Sequence, residues 1–167
     1  MKLYLKQKFF SWRTRFTITD EFDEVHYHVQ GEIISIGRNL HIMDHNMEEV
    51  AEVREKLTSI IDRYRIIIQG NDFGVVKFKT SFLKPKYEFT GLGWEIKGSV
   101  LQRDYTIKKG EQLIASMHKK LMSWGDSYEI EVEDPRDEIA VVTCVLAVNA
   151  ILQDEKDEDR NHTFDDD

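Results

Sequence analysis

The chain has little of what would let its chemistry be read off directly. It has one cysteine, Cys144, so an internal disulfide and a thiolate cage for a metal are both excluded. It has two prolines, Pro85 and Pro135, and each reads as an element boundary. Near the start no apolar run reaches signal-peptide length, because Lys2, Lys6 and Lys8 interrupt it. No stretch supplies the roughly 20 apolar residues of a membrane-crossing helix. A broad basic surface is missing too: the formal charge is −8, which argues against a nucleic-acid partner. Eight of the last fourteen residues are acidic and two are basic, leaving 23 acidic and 21 basic residues in a nearly neutral body. No Ser/His/Asp arrangement or paired-carboxylate motif stands out by spacing. Gly91-Leu92-Gly93 is not a phosphate loop, since no helix with a lysine and a hydroxyl follows it. Neither enzyme activity nor a cofactor is expected, and the expected location is cytoplasmic, peripheral at the membrane if lipid is the ligand.

What is present is one long oily segment. From Ile139 to Leu152 only Thr143 and Asn149 interrupt the apolar residues. Asp134 fits an N-cap, Pro135 the first helical position, and Asp137 and Glu138 add negative charge to the first turn. A helix over about 135–153 that is apolar on every side must be wrapped by protein. Cys144, in its middle, is expected to be an inert packing thiol. The acidic run from Asp154 is expected to leave the fold as a disordered tail, 154–167.

The body before this helix reads as short strands punctuated by glycine and turn residues. Strands are expected at Leu3–Phe9, Thr14–Thr19, Val25–Gln30, Ile33–Ile36, Leu40–Met43, Arg63–Gln69, Val75–Lys79, Tyr87–Thr90, Trp94–Lys97, Asp104–Lys108, Leu113–Lys119 and Tyr128–Glu133. Turns are expected at Asp20–Asp23, Gly37–Asn39, Asp44–Asn46, Gly70-Asn71-Asp72, Gly91-Leu92-Gly93 and Lys109-Gly110-Glu111.

Met47–Ile61 conflicts with this pattern. Val50, Val53, Leu57 and Ile60 fall at helical spacing among good helix formers. Internal comparison points the other way. A lysine followed eight residues later by an aromatic recurs four times: Lys8 and Phe16, Lys56 and Tyr64, Lys79 and Tyr87, Lys120 and Tyr128. Repetition implies one supersecondary unit used four times. Two copies carry residues hostile to a continuous helix, Pro85 in one and Trp124-Gly125-Asp126 in another. Glu49–Lys56 is therefore expected to be a strand. About twelve antiparallel strands can close around a helix about 10 Å wide, and closure removes exposed edges. The expected fold is mainly β: a closed antiparallel barrel enclosing the hydrophobic C-terminal helix, over residues 1–153.

The run Tyr105-Thr-Ile-Lys-Lys-Gly-Glu, then Ile114-Ala-Ser-Met-His-Lys-Lys, then Trp124-Gly-Asp-Ser-Tyr-Glu-Ile-Glu and the apolar helix resembles the LURP-one-related family. That family belongs to the tubby C-terminal-like superfamily, with the phospholipid scramblases. The resemblance extends to the opening Leu-Lys-Gln-Lys-Phe-Phe-Ser and implies the same barrel of about twelve strands around a C-terminal helix. It also implies a link to phosphoinositides and lipid. Two departures limit that: Asn149 stands where many relatives would carry aspartate, and Asp126-Ser127-Tyr128 lacks the closely spaced aspartates of the scramblase calcium segment.

Lys77 and Lys79 share one strand face by the period of two, and Lys84 and Lys86 follow, around the pair Phe82-Leu83. This lysine hairpin is the candidate site for anionic lipid, since such a surface attracts each nearby charge by about 1 kcal/mol. The plainer account is a solvated face whose lysines discourage edge pairing. Lys2, Lys6, Lys8, Arg13 and Arg15 near Trp12 form a second basic cluster. His26, His28, His41 and His45 with Asp44 have spacings that zinc can use, but no cysteine accompanies them, and no metal is expected. Asn149 is expected to cap backbone groups of the wall or hold a water. The favoured reading is a non-enzymatic lipid-docking module. The alternative is a protein-interaction scaffold whose acidic tail is the contact, and an enzyme or small-molecule binder would need a cavity that the helix should fill.

Overall fold

A computed structural model describes residues 1–5, 15–34, 37–56, 63–79, 86–122 and 125–162. Twelve strands follow one another: β1 (Lys2–Leu5), β2 (Arg15–Thr19), β3 (Val25–Ile34), β4 (Gly37–Met43), β5 (Glu49–Glu55), β6 (Arg63–Ile68), β7 (Asn71–Lys79), β8 (Lys86–Phe89), β9 (Trp94–Ser99), β10 (Asp104–Lys109), β11 (Gln112–Met122) and β12 (Gly125–Val132). Each pairs antiparallel with its neighbour in sequence, and β1 returns to β12 through Leu3↔Ile130 and Leu5↔Tyr128, closing the barrel. A 3₁₀ turn, Pro135–Asp137, leads into α1 (Glu138–His162). Asp134 caps that turn, its side chain accepting from the Arg136 backbone N–H at 3.0 Å.

The helix fills the barrel. Val141, Val142, Cys144, Ala147, Val148, Ala150 and Ile151 are fully buried. The strands meet them with alternate residues, among them Leu3, Ile18, Leu40, Ile42, Val53, Ile66, Val76, Phe89 and Ile130. Apolar faces therefore cover the helix on all sides, which is why its sequence has no polar stripe. Thr143 satisfies its hydroxyl locally, donating to the Ile139 carbonyl at 2.9 Å and the Ala140 carbonyl at 3.0 Å. Burial pushes the Cys144 thiol up to about 12, as an inert packing residue requires.

The segment in conflict is β5: Ala51, Glu52 and Val53 are buried between β4 and β6, and pairing on both edges outweighs helix propensity. Four expected boundaries are corrected. The strands expected at Val25–Gln30 and Ile33–Ile36 join in β3, because Gly31 stands opposite Leu40 within an unbroken ladder. Gly37–Asn39 is strand rather than turn, with Asn39 facing Arg54 across β4 and β5. The turn read at Gly70-Asn71-Asp72 is the pair Gln69-Gly70, at φ 49° and 75°, and Asn71 already begins β7. The helix, expected to end near 153, runs on to His162.

The fourfold repeat has a structural meaning. Phe16, Tyr64 and Tyr87 are each the second residue of a returning strand, and Tyr128 sits early in β12. All four lie at the barrel end where α1 emerges; the opposite end carries the 3₁₀ turn that feeds the helix in.

Candidate functional site

With the interior occupied, the outer wall and the two ends remain for recognition. On the wall, β7 and β8 pair with Lys77 opposite Glu88 and Lys79 opposite Lys86. The next pairing sets Glu88 opposite Glu95 and Tyr87 opposite Ile96. Lys86 and Lys97 line one surface depression with Glu88 and Glu95. Lys79, Lys86 and Lys97 thus occupy one rung nearest the emerging helix, and the carboxylates Glu88 and Glu95 lie two rungs further back with Lys77, beyond Phe78, Tyr87 and Ile96. Lys97 donates to Glu95 at 3.1 Å. The backbone register thus sets one lysine position opposite another at the ends of β7 and β8.

Of the four predicted lysines, the fold sets Lys79 opposite Lys86 and places Lys77 two rungs behind. Lys84, with Phe82 and Leu83, lies outside the described residues. Lys97 was missed, although the turn Thr90–Gly93 sets the register that puts it next to Lys86. The second basic cluster is not assembled among the described residues. Lys2 donates to Glu129 at 3.4 Å, and Glu129 also accepts from Tyr4 at 3.0 Å and pairs with Lys120 at 3.3 Å. Burial raises the Glu129 carboxyl, but these bonds offset it and hold the group below its usual value. Lys6, Lys8, Trp12 and Arg13 fall outside the described residues.

Two of the four candidate histidines, His26 and His41, meet carboxylates rather than one another. His26 Nδ1 lies 3.0 Å from Glu138. His41 lies between Glu49 at 2.6 Å and Glu32 at 3.1 Å. Burial lowers His41, but its hydrogen bonds to those two carboxylates outweigh it and raise it above an ordinary imidazole. Asp44, instead of joining them, closes its own turn by accepting from the Asn46 and Glu48 backbone N–H groups at 2.8 and 3.0 Å. Among the described residues no three His, Cys, Asp or Glu side chains group as a metal site.

Two polar contacts tie the helix to the wall where it emerges. Asp154, expected to leave the fold, is 6% exposed. Its carboxylate accepts from the Tyr64 hydroxyl and pairs with Arg38, so partners at the strand ends hold the first acid of the supposed tail inside. Asn149 is bound by a side chain rather than the expected backbone groups. Its Oδ1 accepts from Arg103 Nε at 3.2 Å, while Arg103 Nη1 donates to the Tyr128 hydroxyl at 2.9 Å.

A closed twelve-stranded antiparallel barrel around a C-terminal helix defines the structural class. The chain belongs to the LURP-one-related family, whose model matches residues 1–149. It is similar to the uncharacterized protein YxjI of Bacillus subtilis (strain 168), with 32% identity over 158 residues, 95% of this chain and 98% of that one. A solved structure of a protein from Arabidopsis thaliana, AT5G01750, shares the fold with a TM-score of 0.59 at 20% identity, covering 89% of this chain and 90% of that one. No helix among the described residues is long and apolar enough to cross a membrane.

Proposed function

We propose that the protein is a non-enzymatic binding module that docks on anionic phospholipid head groups through the lysines of β7 and β8. The observation that carries this reading is the lysine rung: Lys79 opposite Lys86, with Lys97 on the next strand. At an anionic surface each lysine contributes about 1 kcal/mol and loses the repulsion of its neighbours. A filled interior supports a role for the outer wall over catalysis in a cavity. Vesicles containing phosphoinositide or cardiolipin, sedimented at moderate salt, test the reading. Pelleting that falls on charge reversal at Lys77, Lys79, Lys84 and Lys86 is expected, with a further fall as salt screens the contact. Absence of pelleting, or pelleting indifferent to those reversals, rejects it.

A second reading, a protein-interaction scaffold, is favoured by the eight helical residues that follow the Asp154 anchor. Truncation after Asp154 followed by pull-down from a cell extract separates the two: a protein partner is lost with those residues, whereas vesicle binding survives.

A further inference from the structure

Arg103 is a half-buried cation whose described partners are all neutral. Arg54, Arg65 and Arg136 each meet a carboxylate, Glu52, Asp72 and Asp134 respectively, as does Arg38 through Asp154. Arg103 instead meets the amide oxygen of Asn149 at 3.2 Å, the hydroxyl of Tyr128 at 2.9 Å and the face of the Tyr128 ring at 5.0 Å. A partly buried charge without a counter-charge carries a desolvation cost. Its backbone is fixed by the turn between β9 and β10, where Arg103 closes onto the Val100 carbonyl at φ 54°, as Asp23 and Met47 do in their own turns.

The groups around the guanidinium are donors. Asn149, 2% exposed, has given its oxygen to Arg103, and its amide nitrogen has no acceptor among the described residues. The Tyr128 hydroxyl accepts from Arg103, which leaves its own proton to give. The Tyr105 hydroxyl, also buried in the barrel, has no hydrogen-bond partner among the described residues. A bridging water can satisfy a neutral donor but does not neutralise a guanidinium.

We propose that Arg103, Asn149 and Tyr128 form a seat for a phosphoryl group at the end of the barrel where α1 emerges. The Nη1–Nη2 edge of the guanidinium remains to meet two phosphoryl oxygens, and two further donors, the Tyr128 hydroxyl from β12 and the Asn149 amide from α1, flank it. The phosphoryl group is either free phosphate or the phosphomonoester of a lipid head group. These residues are distinct from the lysine rung, so this seat and the docking surface stand or fall separately.

Titration with inorganic phosphate in a phosphate-free, low-salt buffer, followed by calorimetry, tests the seat. Saturable binding is expected for the wild type, weakened about tenfold or more in Arg103→Gln, a loss of at least about 1.4 kcal/mol. Asn149→Asp guards against a folding artefact: a carboxylate against Arg103 should raise the melting temperature while abolishing phosphate binding. Lys79→Glu with Lys86→Glu should leave phosphate binding unchanged. In a second arm, vesicles containing phosphatidic acid identify the source. Pelleting lost in Arg103→Gln assigns the seat to the lipid head group, and pelleting retained while phosphate binding is lost assigns it to free phosphate. No saturable phosphate binding by the wild type, or full binding by either Arg103→Gln or Asn149→Asp, overturns the proposal.

Discussion

Replacing Asp154 with alanine removes the carboxylate that holds the far end of α1. Its two partners are not equivalent. Tyr64 is fully buried, so its hydroxyl loses an acceptor that water cannot readily replace, a loss of about 1–3 kcal/mol. The Arg38 side chain is 31% exposed and can turn to solvent, so its share is about 0–1 kcal/mol. Alanine returns about 0.5 kcal/mol through its better helix propensity. The net expectation is a loss of about 2 kcal/mol, or roughly 4–8 °C in melting temperature for a domain of this size. Urea unfolding followed by far-ultraviolet circular dichroism, with buried Trp94 as a fluorescent reporter, measures it. Asp154→Asn, which keeps an acceptor oxygen, should lose about half as much. A double-mutant cycle of Tyr64→Phe with Asp154→Ala should show a coupling of about 1 kcal/mol. If Asp154→Ala unfolds within about 0.5 kcal/mol of the wild type, or the two substitutions simply add, the anchor has no energetic content and the reasoning fails.

Leu146→Ala, at a 1% exposed helix position, should cost about 2–5 kcal/mol by chemical denaturation, because the surrounding wall can collapse only partly onto the void. Two glycines should respond unequally to alanine: at Gly91 the new Cβ would fall 1.4 Å from the Phe73 carbonyl oxygen and break the turn between β8 and β9, whereas at Gly70 nothing lies within 4 Å and only the left-handed φ of 75° is strained, a loss of about 1 kcal/mol. Thermal melts should therefore show Gly91→Ala much the less stable. The Arg136 guanidinium and backbone N–H hold the Asp134 carboxyl down at about 2, so its contribution is fully present above the ordinary carboxylate range and is lost as pH falls through that value. The stability gap between wild type and Asp134→Asn should close as pH is lowered from about 4 to about 2, and an NMR titration should place the Asp134 midpoint near the lower figure.

The parts of the fold that were legible in sequence have a cause acting along the whole chain. An uninterrupted apolar helix can exist only inside a wall, and four copies of one lysine–aromatic spacing identified the hairpins of that wall. The same repeat outweighed the helical spacing of Val50 and Val53, because strand pairing on two edges is non-local and leaves no local periodicity. The end of the helix was not legible, since Asp154 reads as a solvent residue until Tyr64 and Arg38 are known to stand beside it. Lys97 required the register across one hairpin. Arg103 required three elements to converge, and no spacing in the chain links it to Asn149 and Tyr128.

The order of elements also bears on biosynthesis. The helix that fills the barrel follows all twelve strands, and β1 closes only against β12. While a ribosome is still making β12, every earlier strand has its inward apolar face and no core to bury it against. The chain is therefore most vulnerable to aggregation late in translation, and a stall before Ile139 would release a wall without its filling. Chaperone occupancy on nascent chains should rise steadily through β11 and fall sharply only once Leu152 has left the exit tunnel.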